Sequence, residues 1–261
     1  MKRVWAVSAL ALLAFGCEEN KFAAMLEAST GPSATAPVAS LVASSAPTPP
    51  APKKKEWKCG AAIGIVDFAG DEALEKEVRL KLKKPDGVIA PSELSNPTTG
   101  IKSINLTKYG PVNELNPCVM PKFTQIHDLF IGAGELEDLS PIADLTTMLS
   151  LRATDNKVKN LDPLKKLVHM DRLDLSHTQV ADLTVLAQMT ELTELEIDAT
   201  NVVDLKPLEK LTKLTKVTLA NTAVKDISPL RNARDLHILD ISGTPITDTS
   251  MLSGKNLKIK N

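Results

Sequence analysis

Three cysteines and four histidines are the side chains of this 261-residue chain best suited to metal binding or nucleophilic chemistry. His127, His169, His177 and His237 never fall at the short spacing that puts two ligands on one helix or strand. Cys59 and Cys118 have no further ligands near them at a metal-site spacing. Gly132-Ala133-Gly134 lacks the third glycine of a dinucleotide-binding loop. No Gly-x-Ser-x-Gly elbow is present to expose a nucleophilic serine. The sequence thus offers no catalytic constellation, and the expectation is a non-enzymatic protein with no cofactor and no metal.

Charge and composition narrow the partners. Lys and Arg number 31 against 32 Asp and Glu, a net charge of -1. So even a balance gives no long-range attraction to a polyanion. Aromatic residues are only 3% of the chain, too few for a base-stacking surface. Nucleic acid is therefore not an expected partner. Hydrophobic residues still reach 43%, so the core must be aliphatic.

The N-terminus reads as a targeting segment. Met1-Lys2-Arg3 is basic, and Val4 to Phe15 is apolar but too short to span a bilayer as a mature helix. The segment closes on Leu13-Ala14-Phe15-Gly16-Cys17. This resembles the lipobox of bacterial lipoproteins, although Ala14 stands where that family prefers Leu. The resemblance implies that residues 1–16 are a signal peptide, that Cys17 is diacylated, and that acyl chains anchor the protein to a membrane of the cell envelope. Glu18 follows the cysteine rather than Asp, which in cells with two membranes favours the outer one. Residues 17–56 form an Ala/Pro/Ser-rich tether with no apolar periodicity. Lys53-Lys54-Lys55 reads as its solvated end, with contact to anionic lipid as the alternative. Cys59 and Cys118 are then an even pair in an exported protein, and a disulfide is expected between them.

Self-similarity organises the C-terminal half. Leu139-Ser140-Pro141-Ile142 recurs at Leu161, Leu183, Leu205 and Ile227, every 22 residues. In the unit beginning at Leu161 the apolar places are Leu161, Leu164, Leu167, Met170, Leu173, Leu175 and Val180. Leu173-Asp174-Leu175 alternates with period two, as a short strand does. The early part spaces apolar residues by three, which suits a 3₁₀ or α turn. Ser140, Asp162, Thr184, Ser228 and Ser250 are expected to cap those turns, with Pro141, Pro163, Pro207 and Pro229 at their first helical place. A looser copy spans 117–138, and a truncated one 249–261. The units resemble leucine-rich repeats of the bacterial internalin-like class. That implies an α/β solenoid with a parallel concave sheet, short helical or 3₁₀ convex segments and a helical N-terminal cap. The eighteenth place usually holds Asn, whose amide bonds neighbouring turns. Here Asn156 does so, but Thr178, Thr200, Thr222 and Thr244 replace it, and a weaker ladder on an unchanged fold is expected.

Residues 57–116 are read as the cap with an irregular first repeat, and 117–261 as the repeats. Asp71 to Leu82 is an amphipathic helix with Leu74, Val78 and Leu82 on one face, stopped by Lys84-Pro85-Asp86-Gly87. Ala90 stands where the family often has a capping Thr. Ile101 to Leu106 is the first strand.

The architecture locates a binding face. The twelfth, fourteenth and sixteenth places of each unit are expected to point off the strand toward the concave side. They include Phe130, Arg152, Arg172, Asp174, Glu194, Glu196, Asp198 and Lys216. Arg172, Glu194 and Lys216 alternate in sign on neighbouring strands and read as a ladder of ion pairs. Asp174, Glu196 and Asp198 form a like-charged patch that a basic segment would relieve, and Phe130 would be an apolar anchor. The expectation is a monomeric, lipid-anchored scaffold that binds a protein partner through this face. The alternative is a structural envelope protein contacting cell-wall polymer.

Overall fold

The structure is a computed structural model that describes residues 55–60, 64–252 and 257–261. The signal segment, Cys17 and the tether up to residue 54 lie outside the described residues. Among the described residues no helix is long and apolar enough to cross a membrane.

Each coil contributes one strand of three residues. Strands β1 (Ser103–Asn105), β2 (Asp128–Phe130), β3 (Ser150–Arg152), β4 (Arg172–Asp174), β5 (Glu194–Glu196), β6 (Lys216–Thr218), β7 (Ile238–Asp240) and β8 (Lys258–Lys260) lie in sequence order in one parallel sheet. From β2 to β7, register partners are 22 residues apart: Leu151 stands beside Leu173, and Leu173 beside Leu195. The first and last strands close on looser coils, with Ile104 beside Leu129 and Leu239 beside Ile259. Opposite the sheet run 3₁₀ turns, for example Asp162–Lys166 and Thr184–Gln188. The molecule is a leucine-rich-repeat solenoid.

The apolar places explain why the coils stack. All seven of the unit starting at Leu161 are at most 2% exposed. One unit alone cannot hold itself together, because burying seven aliphatic side chains yields at most roughly 10–20 kcal/mol. Ordering its backbone costs roughly 20–40 kcal/mol. Stacking buries the second side of every coil and hydrogen-bonds its strand.

Two local features differ from the expected chemistry. The turn caps come from the residue two places earlier than Ser140 and its counterparts. Asp138 Oδ1 accepts the Ser140 N–H at 2.8 Å, and Asn160, Asp182, Asp204, Asp226 and Asp248 do the same for Asp162, Thr184, Lys206, Ser228 and Ser250. The reason is positional: Ser140 is already the first 3₁₀ residue, so its N–H needs an acceptor rather than supplying one. The seventeenth place, moreover, is left-handed in five successive coils, with Asp155, His177, Ala199, Asn221 and Gly243 at φ of 54°, 57°, 51°, 56° and 70°.

The eighteenth place behaves as its chemistry dictates. Asn156 Nδ2 donates to Gly132 O of the preceding coil (3.1 Å) and to Thr154 O (2.8 Å), while its Oδ1 accepts the Leu136 N–H (3.1 Å). Thr178, Thr200, Thr222 and Thr244 each donate one bond to a carbonyl three residues back in their own coil. Asparagine bridges coils; these threonine hydroxyls donate within one.

The cap seals the first coil. Helix α1 (Glu72–Leu82) begins at Asp71, whose side chain accepts the Leu74 N–H. It buries Leu74 and Val78 against the core, with Leu82 partly buried. A short helix α2 (Pro91–Ser95) follows, which the sequence reading did not foresee. Ala90 has no side chain to cap it, but Glu93 Oε2 reaches back to the Ala90 N–H at 2.7 Å, making half of a capping box. Cys59 and Cys118 form a disulfide with a Cα–Cα separation of 5.2 Å. Beside it Glu114 accepts from Trp57 Nε1 and from the Lys55 backbone N–H, both at 2.8 Å.

Candidate protein-binding face

The solvent side of the sheet takes its side chains from the strand places the core does not use. Register sets Asp128, Ser150, Arg172, Glu194, Lys216 and Ile238 in one row. The parallel row holds Phe130, Arg152, Asp174, Glu196, Thr218 and Asp240. Ser150 and Thr218 are buried there, because short side chains on strands about 4.8 Å apart are shaded by longer neighbours. The sixteenth place is drawn in further: Gly132, Ser176 and Ala220 are buried, and Thr154, Asp198 and Ser242 only half-exposed.

Charges on this face do not pair along the row in the expected order. Arg172 and Glu194 are register partners, as are Glu194 and Lys216. Arg172 instead turns away from Glu194, its Nη2 lying 3.9 Å from Asp128 Oδ1 and its Nε 3.7 Å from Asp171 Oδ2. Lys216 Nζ reaches diagonally to Glu196 Oε1 at 2.9 Å, and Arg152 Nε meets Asp174 Oδ2 at 3.2 Å. Long side chains choose partners by reach, so register alone does not assign them.

The acidic patch is correspondingly less free than its sequence implied. Asp198 spends its carboxylate within the fold, accepting Thr218 Oγ1–H at 2.7 Å and the Ala220 N–H at 2.6 Å. Asp174 Oδ1 accepts the Ser176 N–H at 3.2 Å. Burial pushes the Asp174 carboxyl above its ordinary range, and the neighbouring Glu196 adds to the rise against the Ser176 hydrogen bonds and Arg152. Lys216 is held above the usual lysine value: burial would lower it, but Glu196, Glu194 and Asp174 outweigh that. Among the described residues, the Glu194 carboxylate has no hydrogen bond and no ion pair within 4.0 Å.

Where Arg172 and Glu194 diverge, the face is hollowed. A shallow depression of about 320 Å³ is lined by Phe130, Arg152, Arg172, Asp174, Glu194 and Glu196, over a floor of Ser150, Leu151 and Leu173. Six of the eight residues singled out in the sequence therefore meet at one place. Lys216 and Asp198 do not line it. Arg152 and Arg172 keep about half their side-chain surface in water (54% and 52%).

Sequence reasoning missed a charged group in the cap. Glu77 lies on the apolar side of α1, its side chain 1% exposed. It accepts from Tyr109 Oη (2.9 Å) and the Asn105 N–H (3.2 Å), with Lys108 Nζ at 3.3 Å. Burial alone would raise its carboxyl, but the bonds from Tyr109, Asn105 and Lys108 hold it below the ordinary value. Its place three residues after Leu74, within the helix's apolar stripe, was the available signal. His127 and His169, remote in sequence, line one lateral hollow with Leu149 and Val168. Among the described residues no group of three His, Cys, Asp or Glu side chains gathers as a metal site would.

The coil length, parallel sheet and 3₁₀ turns define an internalin-like leucine-rich-repeat fold. Two solved structures from Listeria monocytogenes resemble it closely. An internalin, inlF, is 26% identical with a TM-score of 0.65 over 72% of this chain and 55% of that one. Internalin C2, inlC2, is 22% identical with a TM-score of 0.61 over 77% of this chain and 98% of that one. The chain thus spans about half the length of inlF. No protein-family model matches the sequence, nor does any curated protein sequence.

Proposed function

We propose that this protein is a non-enzymatic, monomeric scaffold of the bacterial cell envelope that binds a protein partner on the solvent face of its sheet. The observation that carries this reading is the face itself. Its outward side chains pack nothing in the core, yet Phe130, Arg152, Arg172 and Glu194 converge on one hollow. A half-buried aromatic beside partly solvated arginines is the composition that interface hot spots favour. The likeness to two internalins supports the same reading by analogy of fold. Acyl chains on Cys17 would hold the protein at a membrane, the outer one in a cell with two, and the tether 17–56 would carry the repeats away from it.

Site-specific photocrosslinking in intact cells tests the face. A photoreactive residue at Phe130 or Glu196 should trap one partner in stoichiometric yield. The same probe at Val203, 57% exposed and away from the strands, should not. Trapping from Val203 alone would move the interface off the sheet. Anchoring has its own test: Cys17→Ala should leave the protein unprocessed or soluble, and unchanged partition into detergent would refute lipidation.

A further inference from the structure

We propose that the hollow recognises an extended segment with an apolar, an acidic and a basic residue at alternate positions, in that order; this rests on the concave-face reading above. The charge layout is bipolar. On one side stand Arg152 on β3 and Arg172 on β4, half in water, with Phe130 beyond them on β2. On the other stands Glu194 on β5, whose carboxylate has no partner among the described residues. Arg172 and Glu194 are register partners held apart, because Arg172 reaches back over the small Ser150 toward Asp128. A partner carboxylate would fit the arginines and a partner ammonium or guanidinium would fit Glu194. A purely basic segment fits less well: Arg152 and Lys216 already compensate Asp174 and Glu196, and the two arginines would repel it.

Spacing sets the period of the partner. From β2 to β5 are three strand spacings, about 14 Å. The arginine pair sits midway, about 7 Å from Phe130. An extended chain rises about 3.4 Å per residue, so every second side chain on one face is about 7 Å along and every fourth about 14 Å. A segment laid across the strands therefore places residue i on Phe130, i+2 on the arginines and i+4 on Glu194. Order counted from the apolar residue is what the face reads, in either chain direction.

Two labelled nonapeptides test this against the full-length protein by fluorescence anisotropy at low ionic strength. One is centred on Leu-Thr-Glu-Thr-Lys, the other on Leu-Thr-Lys-Thr-Glu, so composition is constant and only charge order differs. The first should bind at least about fivefold tighter. Glu194→Lys should weaken it about tenfold, Glu194→Gln about threefold, and the double variant Arg172→Glu/Glu194→Lys should reverse the preference. Equal affinities, preference for the second peptide, or no binding of either at about millimolar concentration overturns the proposal. Photocrosslinks from Phe130 together with such a failure would sink this recognition pattern alone. Crosslinks from Val203 only would sink the concave-face reading with it.

Discussion

Ala199 occupies a backbone conformation that costs an alanine energy, and replacing it with glycine should stabilise the protein. Its φ is 51°, within a column of left-handed residues at the seventeenth place of each coil. For an L-residue that conformation costs roughly 1–2 kcal/mol, because Cβ crowds the following carbonyl. Glycine escapes the crowding but gives up roughly 0.4–1 kcal/mol through the greater freedom of its unfolded chain. The net gain expected for Ala199→Gly is about 0.5–1 kcal/mol, a Tm rise of about 1–4 °C for a domain of this size. Ala199→Asn should capture part of it, since Asn tolerates the left-handed region. Gly243 supplies the mirror experiment at φ 70°: a Cβ there would also meet Asn221 Oδ1 at 2.4 Å, so Gly243→Ala should cost about 1–2 kcal/mol. Urea and thermal unfolding of the three variants measure the series. A loss of 0.5 kcal/mol or more in Ala199→Gly, or a harmless Gly243→Ala, would refute the argument from backbone strain.

Three further perturbations probe other parts of the molecule. Asn156→Thr should cost about 2–4 kcal/mol in chemical unfolding, because the Leu136 N–H and Gly132 carbonyl lose their bridge between coils. Glu77→Gln should destabilise the cap by about 2–4 kcal/mol at neutral pH, since Lys108 is left beside a neutral amide. Because the Glu77 carboxyl is held below 4.5, its contribution is present above that pH and fades as the pH drops through its folded value. The gap between wild type and Glu77→Gln should therefore narrow in acid, which a pH series of melts will show. Removing the disulfide with Cys59→Ser/Cys118→Ser opens a loop spanning 59 positions and should cost about 4 kcal/mol. Free thiols in the unreduced wild-type protein would contradict the staple itself.

What was legible in the sequence was whatever the core forces to repeat. Leu173 and its counterparts must be apolar in every coil, so the 22-residue period, strand positions and parallel order could be read without coordinates. Cys59 and Cys118 were legible for a different reason, as an even pair with no competing ligands. The turn caps were misplaced by two residues because periodicity locates a turn but not which residue opens it. Asp138 and its counterparts at the end of each unit carried that signal, visible only once Ser140 is known to be helical. Helix α2 was hidden by Ala90, a poor capping residue whose loss Glu93 makes good from inside the helix. Glu77 was invisible for a subtler reason. A charged residue on an apolar stripe normally counts against the stripe, and the partners that justify it, Tyr109 and Lys108, are about thirty residues away.

The candidate site obeys a different logic from the fold. Inward places are made alike by stacking, so whatever individuality the protein has must lie in the outward places, where neighbouring coils differ. Register fixes which backbones are adjacent, and it brought Arg172 beside Glu194 as the sequence implied. Register does not fix which head groups meet. A guanidinium on a long stem can cross a strand that carries only Ser150, and once it does, its nearest acid is Asp128 rather than Glu194. The same freedom carries Lys216 to Glu196. A row that reads as alternating charge thus resolves into pairs displaced from the row, and the displacement leaves one carboxylate open at the edge of a hollow. Side-chain length, set against the small residues between, is therefore the property that turns a regular sheet into a surface with a preferred partner.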